Sequence, residues 1–354
     1  MRILLTTEFF LSGQSTHVLD LAIQLQKLGH PTELILTGIH TTLFQSHYGP
    51  QLKKAGVVYH NTNNKVRLNQ IVRSFQPDII HSHSSTIFDL TKSIAQQNRV
   101  PYVVTCHGLG FSHPKYRASL AGAEQIIAVG PNSAAEIKDR FEEKIVIIPN
   151  GVDIERFTPA KKETKLNVYY VGRLDWSKVE PIKKLADAVA QIPNMSLTIV
   201  GNWKPPVEAE FMPWQTNIEK LLGRANIVVG CGRTAREALA AGCVVLLMNT
   251  RYDGIIDHQL VQEPDFDFSG NQGRFRFKRL LEDLSSLAAN RKRIRRLQRF
   301  SRAYAVENLS SREMAQKVLA VYVQAVSSLR SKTRINLTGS MGIPRSYKVN
   351  RPRF

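Results

Sequence analysis

Residues 226–242 read NIVVGCGRTAREALAAG, and this stretch decides the fold. Asn226 to Val229 is a short apolar run of the kind that forms a buried strand. Gly230 and Gly232 follow in a turn where glycine lets backbone approach closely, and a helix opens behind them. A strand turning through glycines into a helix is the repeating unit of a parallel α/β sheet. Ligands of such sheets bind beyond the carboxyl ends of the strands, so the turn is also where chemistry is to be sought. The free amides near Arg233, Thr234 and Ala235 would face an anion, and Glu237, one turn further on, can accept hydrogen bonds from hydroxyl groups.

The same rhythm extends in both directions. Asn167 to Val171, Ser196 to Val200 and Val244 to Met248 read as further strands of this half, separated by amphipathic segments. In the first half, strands are expected at Arg2 to Thr6, Thr32 to Thr37, Asp78 to His81, Tyr102 to Thr105, Gln125 to Val129 and Lys144 to Ile148, with helices between them. The clearest helix is Thr16 to Leu28, whose Val18, Leu21, Ala22 and Leu25 recur at helical spacing before Gly29. PNGVD at 149–153 and the charged stretch 159–165 interrupt the pattern as a linker. With 354 residues the chain exceeds one ordinary core, so two domains are expected. These are an N-terminal domain at 1–155 and a C-terminal domain at 156–310. A helix at 311–330 is placed to cross back to the first domain, and a basic, disordered tail is expected at 331–354.

Four loops after strands carry candidate chemistry. LSGQSTH at 11–17 places Gly13 before a helix, where it is either an ordinary turn glycine or a point of close approach to a phosphate or sugar. HSHS at 81–84 and TCHG at 105–108 put His81, His83 and His107 at strand ends. There a histidine either satisfies a local polar group or donates to a hydroxyl or phosphate. GRLDWSK at 172–178 follows the strand ending at Val171 and brings Gly172, Arg173 and Lys178 together. Arginine clamps phosphate oxygens bidentately, and lysine adds a mobile charge. The fourth loop is the glycine turn already described.

Composition narrows the class. The 43% hydrophobic and 22% charged content is that of a folded globular chain. Cys106, Cys231 and Cys243 are few and lack zinc spacings, so free thiols in a reducing compartment are expected. A cytoplasmic protein is expected, since the opening MRILLTTEFF is too short for a signal peptide and no run is long enough to span a membrane. The net charge is +19, and from Arg274 onward 20 Lys and Arg stand against four acidic residues. Such a field suits an anionic membrane face, while no nucleic-acid module is visible. Asp265-Phe266-Asp267 spells DxD, but it lies in a proline-containing loop and reads as a solvated acidic segment.

NGVDIERFTP, VGRLDWSK and the Gly-x-Gly turn leading to EALAAG together resemble the glycosyltransferase family 4 type of retaining enzyme, over roughly residues 1–325. STHVLDLAIQLQKLGH, DIIHSH and TCHG are similar to that family as well. The resemblance implies the GT-B fold, two Rossmann-like domains facing across a cleft, with C-terminal helices. It implies Arg173 and Lys178 on the diphosphate of a UDP- or GDP-linked sugar and Glu237 on its ribose, and the loops read above then put Gly172, Gly230, Gly232, Arg233 and Thr234 around that donor. It also implies Gly13 on the acceptor side and His107 near the reacting sugar, with no cofactor and no essential metal, and the HSHS loop adds His83 to the acceptor side. The acceptor expected is a glycan or lipid-linked sugar, met at the inner face of the membrane during envelope polysaccharide synthesis. Two departures stand out. Val229 occupies the position of a family glutamate thought to hold the donor sugar's hydroxyls, and a loop glycine pair is reduced to Ser12 and Gly13. A nucleotide-sugar epimerase of the same fold, or a non-catalytic nucleotide-sugar-binding protein, are the rival readings.

Overall fold

A computed structural model describes residues 1–339, with side-chain environments through residue 329. The strands in chain order are β1 (Ile3–Phe9), β2 (Thr32–Ile39), β3 (Val58–Asn61), β4 (Ile79–Ser82), β5 (Tyr102–Cys106), β6 (Gln125–Ala128) and β7 (Ile145–Ile147) in the first domain. The second has β8 (Leu166–Val171), β9 (Met195–Gly201), β10 (Glu210–Pro213), β11 (Ile227–Gly230), β12 (Val244–Met248) and β13 (Tyr252–Ile255). Among the described residues the first sheet runs β3-β2-β1-β4-β5-β6-β7, wholly parallel. The second runs β10-β9-β8-β11-β12-β13, parallel except for its antiparallel edge β13. Both share one doubly wound order, in which the chain reverses direction across the sheet between β1 and β4, and again between β8 and β11. Such a switch point opens a crevice at the strands' carboxyl ends.

The apolar runs explain why these sheets are buried on both faces. Side chains alternate across a strand. Accordingly Ile3 and Leu5 enter one core with Leu34, Leu36, Ile79 and Val103, whereas Leu4 enters the opposite one with Ile35, Ile80 and Val104. In the second sheet Val168, Tyr170, Ile227 and Val229 face one core and Tyr169, Val171 and Val228 the other. The three strands missed by sequence reading, β3, β10 and β13, are all sheet edges. An edge strand needs no continuous apolar run, and β3 shows it with Val58 half exposed.

The two domains are joined twice. Val152 N–H donates to Leu309 O at 2.7 Å, and Ser311 N–H donates to Val152 O at 2.9 Å, so both crossings pair at one point. Gly151 is required there, because a Cβ would lie 2.6 Å from Ser311 Cα. The helix Ser311–Gly339 then packs on the first domain. Met314, Ala315, Val318, Val321, Tyr322 and Ala325 form its apolar stripe and share a core with Val18, Leu21 and Leu25 of the helix Gly13–Lys27. The helix does not end near residue 330 but continues to Gly339, which corrects the expected start of the tail; the remainder of that tail lies outside the described residues.

The basic segment is not one uniform surface. Arg302 Nη1 donates to the carbonyls of Ile154, Phe157 and Ala240 and so ties the linker to the second domain. Arg274 pairs with Asp265, and Arg279 with Asp283. Lys292, Arg295, Arg296 and Arg299 of the helix Arg291–Asn308 remain exposed on one side. No helix of the described residues is long and apolar enough to cross a membrane.

Candidate active site

A cavity of about 450 Å³ lies between the domains and is lined from both switch points. Ser12 and Gly13 follow β1, Gly172, Arg173 and Lys178 follow β8, and Cys231, Gly232, Arg233 and Thr234 follow β11, with Glu237 one turn later. That volume is in the range of sites for compact organic ligands.

The cationic loop is built locally. Asp175 caps the turn Trp176–Lys178 by accepting from Ser177 N–H at 3.1 Å. Hydrogen bonding from Ser177, then the charge of Lys178, holds its carboxyl below the usual range. Lys178 Nζ is anchored by donating to Arg173 O at 2.7 Å, while the Arg173 side chain stays exposed. One charge is thus pre-positioned and the other is free to swing onto a ligand.

The glycine turn supplies amides. Gly232 has φ +56, the left-handed region where a side chain would be strained, and its N–H donates to Phe268 O. The helix Gly232–Ala240 has no side-chain cap, and the N–H groups of Arg233 and Thr234 precede the bond from Ala235 N–H to Cys231 O. Open amides and the positive end of the helix dipole therefore face the cavity. Gly230 does not line it and acts instead in packing, since a Cβ would meet Val171 O at 3.0 Å and Thr234 Cγ2 at 2.9 Å.

Across the cleft, Arg233 Nη2 meets Asp20 Oδ2 of the helix Gly13–Lys27 at 2.6 Å, and its Nε meets Glu237 Oε1 at 2.6 Å. Burial alone would favour a neutral guanidinium, but the two carboxylates overcome this and keep it charged. Burial also raises the Glu237 pKa, an effect countered by Arg233. A Cβ on Gly13 would lie 3.6 Å from Arg233 Cβ, so the domains touch at this pair. A second tie joins Asn132 Nδ2 to Asp267 Oδ2 at 3.0 Å. The DxD carboxylates are therefore engaged, Asp267 by Asn132 and Asp265 by Arg274.

His83 and His107 do not line the cavity, contrary to the expected acceptor-side and sugar-side positions. The helix Gly13–Lys27 lies over the ends of β4 and β5, and His17 packs on both rings, at 5.6 and 4.8 Å between centroids. His83 Nδ1 and His107 Nε2 are 3.1 Å apart. His81 is structural, with Nδ1 at 2.6 Å from Tyr322 Oη and Nε2 at 2.7 Å from Thr105 Oγ1. Val229 is fully buried in the second domain's core and does not line the cavity.

Sequence reading passed over several lining residues. Asp20 and Arg233 lie far apart in sequence and carry no local signal of their pairing. Trp214, Gln215 and Thr216 follow the unrecognised edge strand β10. Arg156, within NGVDIERFTP, lines the cavity and pairs with Glu219 at 2.9 Å. Of the three free cysteines, Cys231 is only partly buried and lines the cavity.

Residues 11–156 match the family model described as Glycosyltransferase Family 4. A glycogen synthase of Mycobacterium tuberculosis is 27% identical over 149 residues, covering 36% of this chain and 35% of that protein. The UDP-Gal:alpha-D-GlcNAc-diphosphoundecaprenol alpha-1,3-galactosyltransferase of Escherichia coli is 30% identical over 122 residues, covering 30% of this chain and 32% of that protein. The chain thus spans about a third of the length of the curated relatives it matches. The crystal structure of Anabaena HepE in complex with UDP-glucose superposes with a TM-score of 0.69 at 15% identity, over 93% of this chain and 100% of that one. The fold is GT-B, two Rossmann-like domains facing across a cleft.

Proposed function

We propose that the chain is a retaining glycosyltransferase that moves a sugar from a nucleoside diphosphate sugar to a glycan or lipid-linked acceptor. The observation that carries this reading is the meeting of Arg173, Lys178, the open amides of the helix Gly232–Ala240 and Glu237 on one cavity. Anabaena HepE was crystallised with UDP-glucose, and the E. coli relative is named for a UDP-linked donor and a diphosphate-lipid acceptor. Both support a UDP-linked donor here, and the second supports an acceptor used in envelope polysaccharide synthesis.

In the reaction the bond from the anomeric carbon to the diphosphate oxygen breaks, and that oxygen leaves with the electron pair. The acceptor hydroxyl oxygen bonds to the carbon, and its proton passes to the leaving diphosphate on the same face. Negative charge grows on the diphosphate as the bond breaks. Arg173, Lys178 and the amides of Arg233 and Thr234 stabilise it there, in the role a divalent ion plays elsewhere. Glu237 accepts hydrogen bonds from the ribose, and Ser12 and Gly13 border the acceptor side. Because Val229 is sequestered, donor-sugar hydroxyls fall to the polar groups of Arg233 and Thr234.

Thermal unfolding with a panel of UDP- and GDP-sugars tests the donor assignment. A ligand at a hundred times its Kd stabilises the native state by about 2.7 kcal/mol, so one nucleotide class is expected to raise Tm by several degrees. No shift with any of them would contradict the proposal.

The exposed Lys292, Arg295, Arg296 and Arg299 are proposed to hold the protein at an anionic membrane, each contributing on the order of 1 kcal/mol near the surface. Co-sedimentation with phosphatidylserine vesicles is expected at low salt and lost at high salt. Equal pelleting with purely neutral vesicles would refute an electrostatic mechanism.

A further inference from the structure

Three imidazoles converge outside the cavity. His17 comes from the helix Gly13–Lys27, His83 follows β4 and His107 follows β5. One ring nitrogen of each lies within 4.8 Å of the other two. His17 and His83 are only 4% and 1% exposed.

Each ring keeps one nitrogen without a partner, while the other nitrogens of His83 and His107 are paired only with each other. His17 Nδ1, His83 Nε2 and His107 Nδ1 have no hydrogen-bond partner, which makes three of the seven such buried side-chain atoms among the described residues, so unmet polarity is concentrated here. The adjacent His81 differs, because both of its nitrogens are engaged by Tyr322 and Thr105. Within the trio, the His83–His107 contact at 3.1 Å is a single shared proton between two rings. A cation replacing that proton displaces one hydrogen bond.

We propose that His17, His83 and His107 form a binding site for a transition-metal dication of the zinc class. The ligands from these two rings are the facing atoms His83 Nδ1 and His107 Nε2, which at 3.1 Å and with metal–nitrogen bonds of about 2.0–2.1 Å subtend roughly 100° at the metal, near the tetrahedral angle. The third nitrogen must move in by roughly 1.5 Å at most, within reach of a ring reorientation. A donor set of imidazoles without carboxylate disfavours calcium and magnesium and suits zinc, cobalt, nickel or copper. Burial lowers the pKa of all three rings, that of His107 to about 3. Arg233 and Arg236 also act on His17, but Arg233 is already countered by Asp20 and Glu237. Three histidines leave a fourth position for water or an exogenous ligand.

The test uses the full, untagged chain stripped with chelator and titrated with Co²⁺ and Zn²⁺. One equivalent of cobalt is expected to give the intense visible absorption of a four-coordinate site. His17→Asn and His107→Gln are expected to weaken binding at least about 100-fold, while His258→Asn, on an exposed histidine, leaves it unchanged. In the wild type, zinc is expected to shift the ring NMR signals of three of the ten histidines, a readout independent of whether variants fold. Absence of stoichiometric binding, movement of a different set of histidines, or unchanged affinity in folded His17→Asn and His107→Gln variants would overturn the proposal.

Discussion

Under the proposed function, Lys178→Ala and Arg173→Ala are each expected to lower kcat/KM for sugar transfer by roughly 30- to 1000-fold, a loss of about 2–4 kcal/mol of transition-state stabilisation. The reason is where charge develops. In the intact donor the diphosphate charge is shared with the glycosyl bond, and it becomes fully local only as that bond breaks. A cation fixed beside the leaving oxygen is therefore worth more in the transition state than in the ground state, and the loss falls on turnover rather than on binding alone. Lys178 carries the larger effect, because its ammonium is anchored by Arg173 O whereas the Arg173 side chain is exposed and screened. Steady-state kinetics of both variants check this, and unchanged turnover in both defeats the assignment.

Arg233→Met is the most damaging single change expected for stability, at about 3–5 kcal/mol, because it strips the counter-charge from two mostly buried carboxylates. Asp20 and Glu237 have side chains 15% and 11% exposed, and both meet the same guanidinium. The loss is uneven in its consequences. Asp20 belongs to the other domain and regains water when the cleft opens, whereas Glu237 sits one turn along the same helix and stays enclosed. The variant is therefore expected both to unfold at lower denaturant and to show a larger radius of gyration in solution scattering. Asp20→Asn, which leaves the Arg233–Glu237 pair intact, should open the cleft with a smaller stability loss. An Arg233→Met protein as stable and compact as the wild type would show that this contact does not hold the domains together.

The fold was legible where physics acts locally. Interior strands such as β4, β5, β11 and β12 are apolar on both faces and stand out against the helices between them. The edge strands β3, β10 and β13 do not, because one side faces solvent or a loop. The cationic loop and the glycine turn were legible for the same reason, since Arg173 and Gly232 each lie two residues past a strand end and Lys178 seven. The Asp20–Arg233 contact was not, because each residue alone reads as an ordinary charge on a helix, and only the domains' approach brings them together. The histidines show the converse error. Read singly, His83 and His107 looked like sugar-facing groups; the sheet order β1-β4-β5 instead sets them side by side under His17.

In the proposed function, sugar transfer depends on a diphosphate being gripped between the Arg173–Lys178 loop and the start of the helix Gly232–Ala240. Calorimetry with the preferred nucleoside diphosphate and its monophosphate measures that grip without any acceptor. The diphosphate is predicted to bind the wild type at least about tenfold more tightly, the equivalent of one charge-assisted hydrogen bond, and that gap should collapse in Lys178→Ala. Equal affinities in the wild type, or a gap that survives in both Lys178→Ala and Arg173→Ala, would contradict it.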